Sequence, residues 1–393
     1  MLKIIFWILV IIIFYTYFGY AGFLLLLNGL KRLFYRPNDI QMKVVDYPEV
    51  TILIAAYNEK DTIEAKVENT RNINYPKNKL HVVWITDGSD DGTPEMLANF
   101  EEIKVLHTTE RKGKTTALNR AMQSIHTPFT IFSDANTMLD PDAIKKLIEP
   151  FGNKKVGCVA GEKRIVNNLF EAAAGAGEGA YWQYESILKK LESNFQSVLA
   201  AAGELYAIRT DLYKPVDPDI IIDDFVISLN IARQGYQIKY QPEAYAMENS
   251  SANIREELKR KIRIASGAIQ VLFRYPSLLN IFRHGFLSFE FISHKVLRWL
   301  IVPLAIPLIA GFTILICIQS HWQNPVYAVI FYIQVLFYFL VLLGIIFEGK
   351  ATRMKILYLP FYLIIFNFAQ YAGIFRFFRG KHNVVWEKAR RAT

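Results

Sequence analysis

The chain has 393 residues, 52% of them hydrophobic, and a formal charge of +9. Two cysteines, Cys158 and Cys317, are too few for a disulfide framework or a cysteine-rich metal site. The Lys and Arg residues gather beside apolar runs rather than along one polar face, so no nucleic-acid partner is expected.

Residues 3–28, "KIIFWILVIIIFYTYFGYAGFLLLLN", form an almost unbroken apolar run, longer than the roughly 20 residues a helix needs to cross a bilayer. It is too long for the apolar part of a cleaved leader. A signal anchor is therefore expected, with an N-terminal transmembrane helix over 1–30. A soluble domain follows over 45–275, then an interfacial helical segment over 276–296. Apolar runs at 297–318, 326–347 and 356–375 predict a C-terminal transmembrane region, 297–378, ahead of a basic tail, 379–393. "KRLFYR" (31–36) follows the first span and puts the domain on the cytoplasmic side, because Lys and Arg stay inside. A reducing compartment suits the unpaired cysteines. "SHWQN" (320–324) fits an outside loop and "EGKATRMK" (348–355) an inside one. Pro360, Asn367 and Gln370 interrupt the last run. It is expected to be broken or re-entrant, which keeps "RFFRGKHNVVWEKARR" (376–391) inside.

Within the domain, "EVTILIAAYNE" (49–59) predicts a buried strand and a polar loop. "KDTIEAKVENTRNI" predicts a helix with Ile63, Val67 and Thr70 on one face and Asp61 or Thr62 as its cap. "LHVVWITDGSDDGT" predicts a strand ending in an acidic, Gly-rich loop, and "TPEMLANF" a helix. "IKVLHT" is a third strand, "KTTALNRAMQSI" a helix and "PFTIFSDAN" a fourth strand. "GCVAGEKRIV" reads as a strand, "EAAAGAGEGAYWQYESILKKLESNF" as a long helix and "VLAAAGELYAIR" as a small-residue turn and strand. "IIIDDFVISLNIARQGY" is an apolar run, two carboxylates and a helix, and "REELKRKIRIASGAIQVLFRY" a basic helix. Alternation of strands and helices implies an α/β fold with a doubly wound, mostly parallel sheet. Its ligands bind at the carboxyl ends of the strands, where Tyr57, Glu59, Asp87, Asp134, Ala135 and Asn136 fall.

Asp87 has the sequence of a turn former, and an Asp in a Gly-rich loop can also accept hydrogen bonds from a base or sugar. "RKGKTTALN" (111–119) lacks P-loop spacing, yet Lys112 and Lys114 before a helix start suit an anion. Asp134 and Asn136, two apart, share a side if the segment is extended. Their carboxylate and amide oxygens suit Mg2+ or Mn2+. Asp223 and Asp224 face opposite ways on a strand but not at a helix start, where Asp is a good cap; one in a cleft would suit a general base. Arg260 and Arg263, three apart on a helix with Lys261 beside them, suit a diphosphate or anionic lipid.

Together and in order, "AAYNE", "TDGSDDGT", "GKTTALN", "SDANT", "AAGELYAIR", "IDDF" and "RKIRIASG" resemble the inverting, membrane-bound GT-A glycosyltransferases of family two, which include cellulose, hyaluronan and poly-N-acetylglucosamine synthases. The resemblance covers about 50–270, with "SHKVLRWLIVP" (293–303) and "VVWEKARR" (384–391) similar to bacterial members. It implies a bacterial inner-membrane protein whose cytoplasmic GT-A domain is flanked by transmembrane helices. It implies that Ala56, Tyr57, Glu59 and Asp87 surround the uridine and that Lys114 lies near the nucleotide. Asp134 and Asn136 match the DxD motif, with Asn in the second acidic position. Asp223 and Asp224 match the acidic pair of TED, with Asp224 as base. Arg260 and Arg263 match the first and fourth positions of QxxRW, in which Arg replaces Gln and Ile264 replaces Trp. That Trp is associated with holding the acceptor in processive enzymes, so its replacement leaves processivity open. The implied activity is transfer from a UDP-sugar donor to a glycan or lipid acceptor, with Mg2+ or Mn2+, at a lipid bilayer and with accessory export subunits as possible partners. A β-linked polysaccharide synthase is the first expectation, single-sugar transfer to a lipid the second, and a membrane scaffold with a decayed nucleotide-sugar domain the third.

Overall fold

Val50–Ala56 (β1) is buried at every position, as its β-branched, two-sided apolar sequence requires of a central parallel strand. In the computed structural model, which describes residues 1–34, 46–166, 172–251, 253–347 and 355–380, β1 lies between Leu80–Asp87 (β2) and Phe129–Asp134 (β4), parallel to both. Ile103–Thr108 (β3) runs parallel to β2 on the outside. Leu205–Arg209 (β7) joins β4 antiparallel and Val156–Val166 (β6) joins β7 antiparallel. Gln237–Asn249 (β8) runs parallel to β6, and Met138–Leu139 (β5) closes the edge. The order of the eight-stranded sheet is β3-β2-β1-β4-β7-β6-β8-β5. The parallel half follows the expectation. Neither β8 nor β5 is among the predicted strands.

This topology delivers a single sheet edge. β7 runs opposite to β4, so the residues just before it, Gly203 and Glu204, lie at the carboxyl end of β4, where Leu205 pairs with Ser133. The two reversals bring the carboxyl ends of β6 and β8 to the same edge, with Lys163 opposite Ala246 and Arg164 opposite Met247. The core beneath contains Ile52, Ile54, Trp84, Ile131, Val159 and Ala207, each at or below 1% exposure. Burying one of these Ile or Val side chains contributes about 1.5–3 kcal/mol.

Two local features are settled by the structure. Thr62, not Asp61, is the N-cap residue of the helix Ile63–Arg71, but its side chain makes no capping hydrogen bond: the hydroxyl donates to the Glu59 carbonyl at 2.9 Å. Of the two geometries left open for the acidic pair, strand or helix start, the structure has the helix start. Asp223 and Asp224 are the first two residues of the helix Asp223–Arg233.

The chain divides into two compact units. One contains the sheet (Leu27–Val166 and Trp182–Ser250); the other takes Met1–Leu26, Asn167–Tyr181 and Ser251–Gly380. Among the described residues, four helices are long and apolar enough to cross a membrane: Leu2–Phe34, Phe286–Gln319, Pro325–Ile346 and Leu359–Phe378. In the second unit Phe6 packs with Ile316, Cys317 and Tyr327, Trp7 Nε1 donates to Tyr327 Oη at 3.1 Å, and Tyr15 Oη meets Ser293 Oγ at 2.9 Å. Gly373 lets Lys355–Phe378 approach Ile254–Arg274 so closely that a Cβ there would collide with Ala265. The last apolar run, expected to be broken, is one continuous helix across Pro360; Asn367 satisfies itself by donating to the Leu363 carbonyl one turn back at 2.7 Å. The loop 348–354 and the tail 381–393 lie outside the described residues.

Candidate active site

The loops after β1 and β2 are tied together by short polar side chains. Asn58, at φ 53°, donates through Nδ2 to Asp90 Oδ1 (2.7 Å) and accepts from Asp90 N (3.0 Å). Glu59 N donates to Thr93 Oγ1 at 3.0 Å, and Glu59 is buried. Ala56 ends β1, also buried, and the Tyr57 ring carries the Arg111 guanidinium 3.8 Å from its centroid. Gly88, at φ 66°, lets the chain pass where a Cβ would lie 2.7 Å from Arg111 Cβ. Asp87 is buried and accepts from Lys112 N at 3.0 Å and Gly113 N at 2.6 Å. In this structure its carboxylate therefore holds the loop that opens the next helix.

That helix, Lys114–Met122, has two tasks. Lys114 Nζ lies 2.8 Å from Asp134 Oδ1 and 3.8 Å from Asp223 Oδ2. Burial alone would lower its pKa, but these carboxylates outweigh that and raise it. One turn of helix apart, Thr115 donates to the Ile220 carbonyl (3.0 Å) and Asn119 to the Val216 carbonyl (2.7 Å). The segment leading into Asp223 and Asp224 is thus fixed from the same helix that supplies the lysine. Ser228 completes the support, donating to the Asp224 carbonyl (2.8 Å) and accepting from Ala201 N (3.0 Å). The Gly203 turn is held so close that a Cβ at 203 would lie 3.2 Å from Asp224 Oδ2.

The segment 134–136 is not extended. β4 stops at Asp134, and Ala135, 1% exposed, and Asn136 form a turn. Lys66 sits beneath it, fully buried, donating to Ser133 Oγ (2.8 Å) and Thr137 O (2.5 Å). Burial lowers the Lys66 pKa to about 7 against the pull of Asp134. Asn136 Nδ2 donates to Glu248 Oε1 at 3.0 Å, and Glu248 pairs with Lys163, which also meets Glu204 Oε1 at 2.8 Å. Burial raises the Asp134 carboxyl although Lys114 opposes it. Burial, and after it Asp223, push Asp224 up to about 7 against Lys114.

Asp87, Lys114, Asp134, Asn136, Asp223 and Asp224 therefore share one edge of one unit, with Ala56, Tyr57 and Glu59 on the adjoining loop. Arg260 and Arg263 belong to the other unit, on the helix Ile254–Arg274. There Arg260 Nε pairs with Glu257 Oε2 at 3.1 Å. Burial would raise the Glu257 carboxyl, but Arg260 and Lys261 hold it well below the usual range. Sequence reading assigned no role to Lys66, Lys163, Glu204 or Glu248. A signal existed for two. Lys66 falls on the helix face of Ile63, Val67 and Thr70, and Glu248 continues the inward alternation of Ala244 and Ala246.

The residues fit a divalent cation. Asp134, Glu204, Asp223, Asp224 and Glu248 bring five carboxyl groups to this edge against the ammonium groups of Lys66, Lys114 and Lys163, a carboxyl-rich cleft of hard oxygen donors suited to a divalent cation. Among the described residues no group of three or more His, Cys, Asp or Glu forms a complete metal cage. One carboxylate and one amide oxygen, joined by substrate phosphates, are a normal Mg2+ donor set.

Residues 48–267 match the family described as "Glycosyltransferase like family 2". The chain is 28% identical over 235 residues to a poly-beta-1,6-N-acetyl-D-glucosamine synthase of Staphylococcus epidermidis and 29% identical over 236 residues to that of Staphylococcus aureus. Each alignment covers 57% of this chain and 56% of the relative, so the chain spans a little over half the length of these curated relatives. Among solved structures, the mannosyltransferase PcManGT from Pyrobaculum calidifontis, in complex with GDP-Man and Mn2+, matches with a TM-score of 0.69 at 22% identity over 97% of this chain and 100% of that one. At that identity the likeness is one of fold.

Proposed function

The chain belongs to glycosyltransferase-like family 2, the match spanning more than half of it, and from that premise we propose that it is an inverting membrane glycosyltransferase that moves a sugar from a UDP-sugar to an acceptor hydroxyl and builds a β-linked polysaccharide. The observation that carries the reading is the cluster of Lys114, Asp134, Asp223 and Asp224 at the carboxyl edge of the sheet. The enzyme is an integral protein of a bacterial inner membrane, with the sheet domain on the cytoplasmic side.

Asp224 takes the proton from the acceptor hydroxyl. The freed oxygen lone pair forms the bond to the anomeric carbon as the bond from that carbon to the diphosphate oxygen breaks, and UDP leaves with the electron pair from the opposite face. The raised pKa of Asp224 matches it to this transfer near neutral pH. Lys114 lies where leaving-group charge grows and stabilises it electrostatically. Asp134 and Asn136 would hold Mg2+ or Mn2+, which when bound supplies Lewis-acid stabilisation of the diphosphate. Ala56, Tyr57, Glu59 and Asp87 shape the nucleoside pocket, Asp87 by holding the Lys112–Gly113 backbone.

A second reading is single-sugar transfer to a lipid acceptor. The observation favouring it is Ile264, partly exposed at 38%, where processive enzymes of this kind have Trp. Asp224→Asn tests the chemistry shared by both readings. Turnover is expected to fall by roughly 10²–10⁴-fold while UDP-sugar binding, followed by calorimetry, stays near the wild-type value. Unchanged turnover would remove Asp224 from the base role.

A further inference from the structure

We infer that Glu248 is a positioning residue of the cation clamp and the reason that position 136 is asparagine. The inference rests on the reading above, in which Asp134 and Asn136 hold the cation of a glycosyl transfer. Glu248 lies on β8, is 2% exposed, and receives Asn136 Nδ2 at 3.0 Å. An ionised carboxylate only accepts hydrogen bonds. The Asn136 amide must therefore present its NH2 to Glu248, and this leaves the carbonyl oxygen, the atom a hard cation takes, for the ion. The Lys163 ammonium pairs with Glu248 from the other side, and also with Glu204 Oε1 (2.8 Å), and lies 5.3 Å from the centroid of the Trp182 ring.

A carboxylate at 136 would meet Glu248 as a like charge, and two such groups in contact do not both ionise. Restoring an acid at that position therefore does not restore a clamp. The second acidic charge expected on the turn is carried by β8, and the turn carries the amide that connects to it. The same chain of contacts continues from Glu248 through Lys163 to Glu204, beside the Gly203 turn that abuts Asp224. Clamp and base are held by one buried strut.

The test measures Mn2+ binding to the full-length protein in lipid vesicles by electron paramagnetic resonance with UDP present and no turnover, alongside thermal unfolding without ligand. Glu248→Gln offers Asn136 either amide atom and is expected to weaken Mn2+ binding roughly tenfold or more, as loss of a partner behind a metal ligand does. Asn136→Asp is expected to weaken Mn2+ binding as well and to lower the unfolding temperature. Asn136→Asp combined with Glu248→Gln is expected to return both toward wild type. Tighter Mn2+ binding in Asn136→Asp alone, or additive effects in the double variant, would overturn the inference. A wild type that binds no Mn2+ with UDP would overturn the functional reading itself, whereas a wild type that binds it, with no coupling between the two substitutions, would overturn only the role of Glu248.

Discussion

Asp224 shows how a single residue's surroundings set its chemistry. Burial first and Asp223 second push its carboxyl up to about 7, with Lys114 opposing. A base must be deprotonated to act, so kcat/KM is expected to rise with pH and level off above about 7. Stability runs the other way. The folded protein keeps the Asp224 proton to a higher pH than the unfolded chain does, so this group's contribution to stability is present at low pH and lost as pH rises through about 7. Initial rates and unfolding temperatures measured across the same pH series check both directions, and a rate independent of pH around neutrality would contradict the assignment. Lys114, Asp134 and Asp223 were legible in the sequence because each sits next to a predicted strand end or helix start. Lys163 and Glu204 were not. Their partners are set by strands that meet only when β7 and β6 reverse direction, and no local spacing encodes that meeting.

At the scale of elements, the alternating pattern gave the parallel strands β1 to β4 and their helices, since each is apolar and bounded by turn residues. It did not give β8. The strand is 13 residues long, with Pro242 and Glu243 interrupting its alternation, and its register with β6 shifts between Ala160 and Glu162. Gly161 occupies that shift because a Cβ there would lie 2.7 Å from the Ala244 carbonyl oxygen. Gly161→Ala must push β8 away, and an overpacked site of this kind costs about 1–3 kcal/mol. Thermal unfolding of the purified protein checks this, and an unchanged transition would show that the strands part without cost. Asp134 and Asn136 teach a related lesson. The same-side argument needs an extended segment, but β4 ends at Asp134. The two residues are joined by a turn propped by Lys66 rather than by strand periodicity.

For the whole molecule, the sequence is informative about order. Several weak motifs arranged in one succession predicted a fold that the family match over 48–267 and the mixed sheet bear out. Among the described residues four helices have the length and apolar character of spans, and the last of them continues through Pro360, as spanning helices do when neighbouring groups re-satisfy the backbone a proline frees. The central claim is sugar transfer from a UDP-sugar with polymer growth. Its most direct test is UDP release from the full-length protein in lipid vesicles, with UDP-glucose, UDP-N-acetylglucosamine and UDP-glucuronate supplied separately, with Mg2+ or Mn2+ and with chelator, and with the product sized. The account predicts turnover of one donor, abolished by chelator, with a long product. A single-sugar lipid product would replace the polymer by the second reading, and binding of UDP without turnover of any donor would contradict the claim.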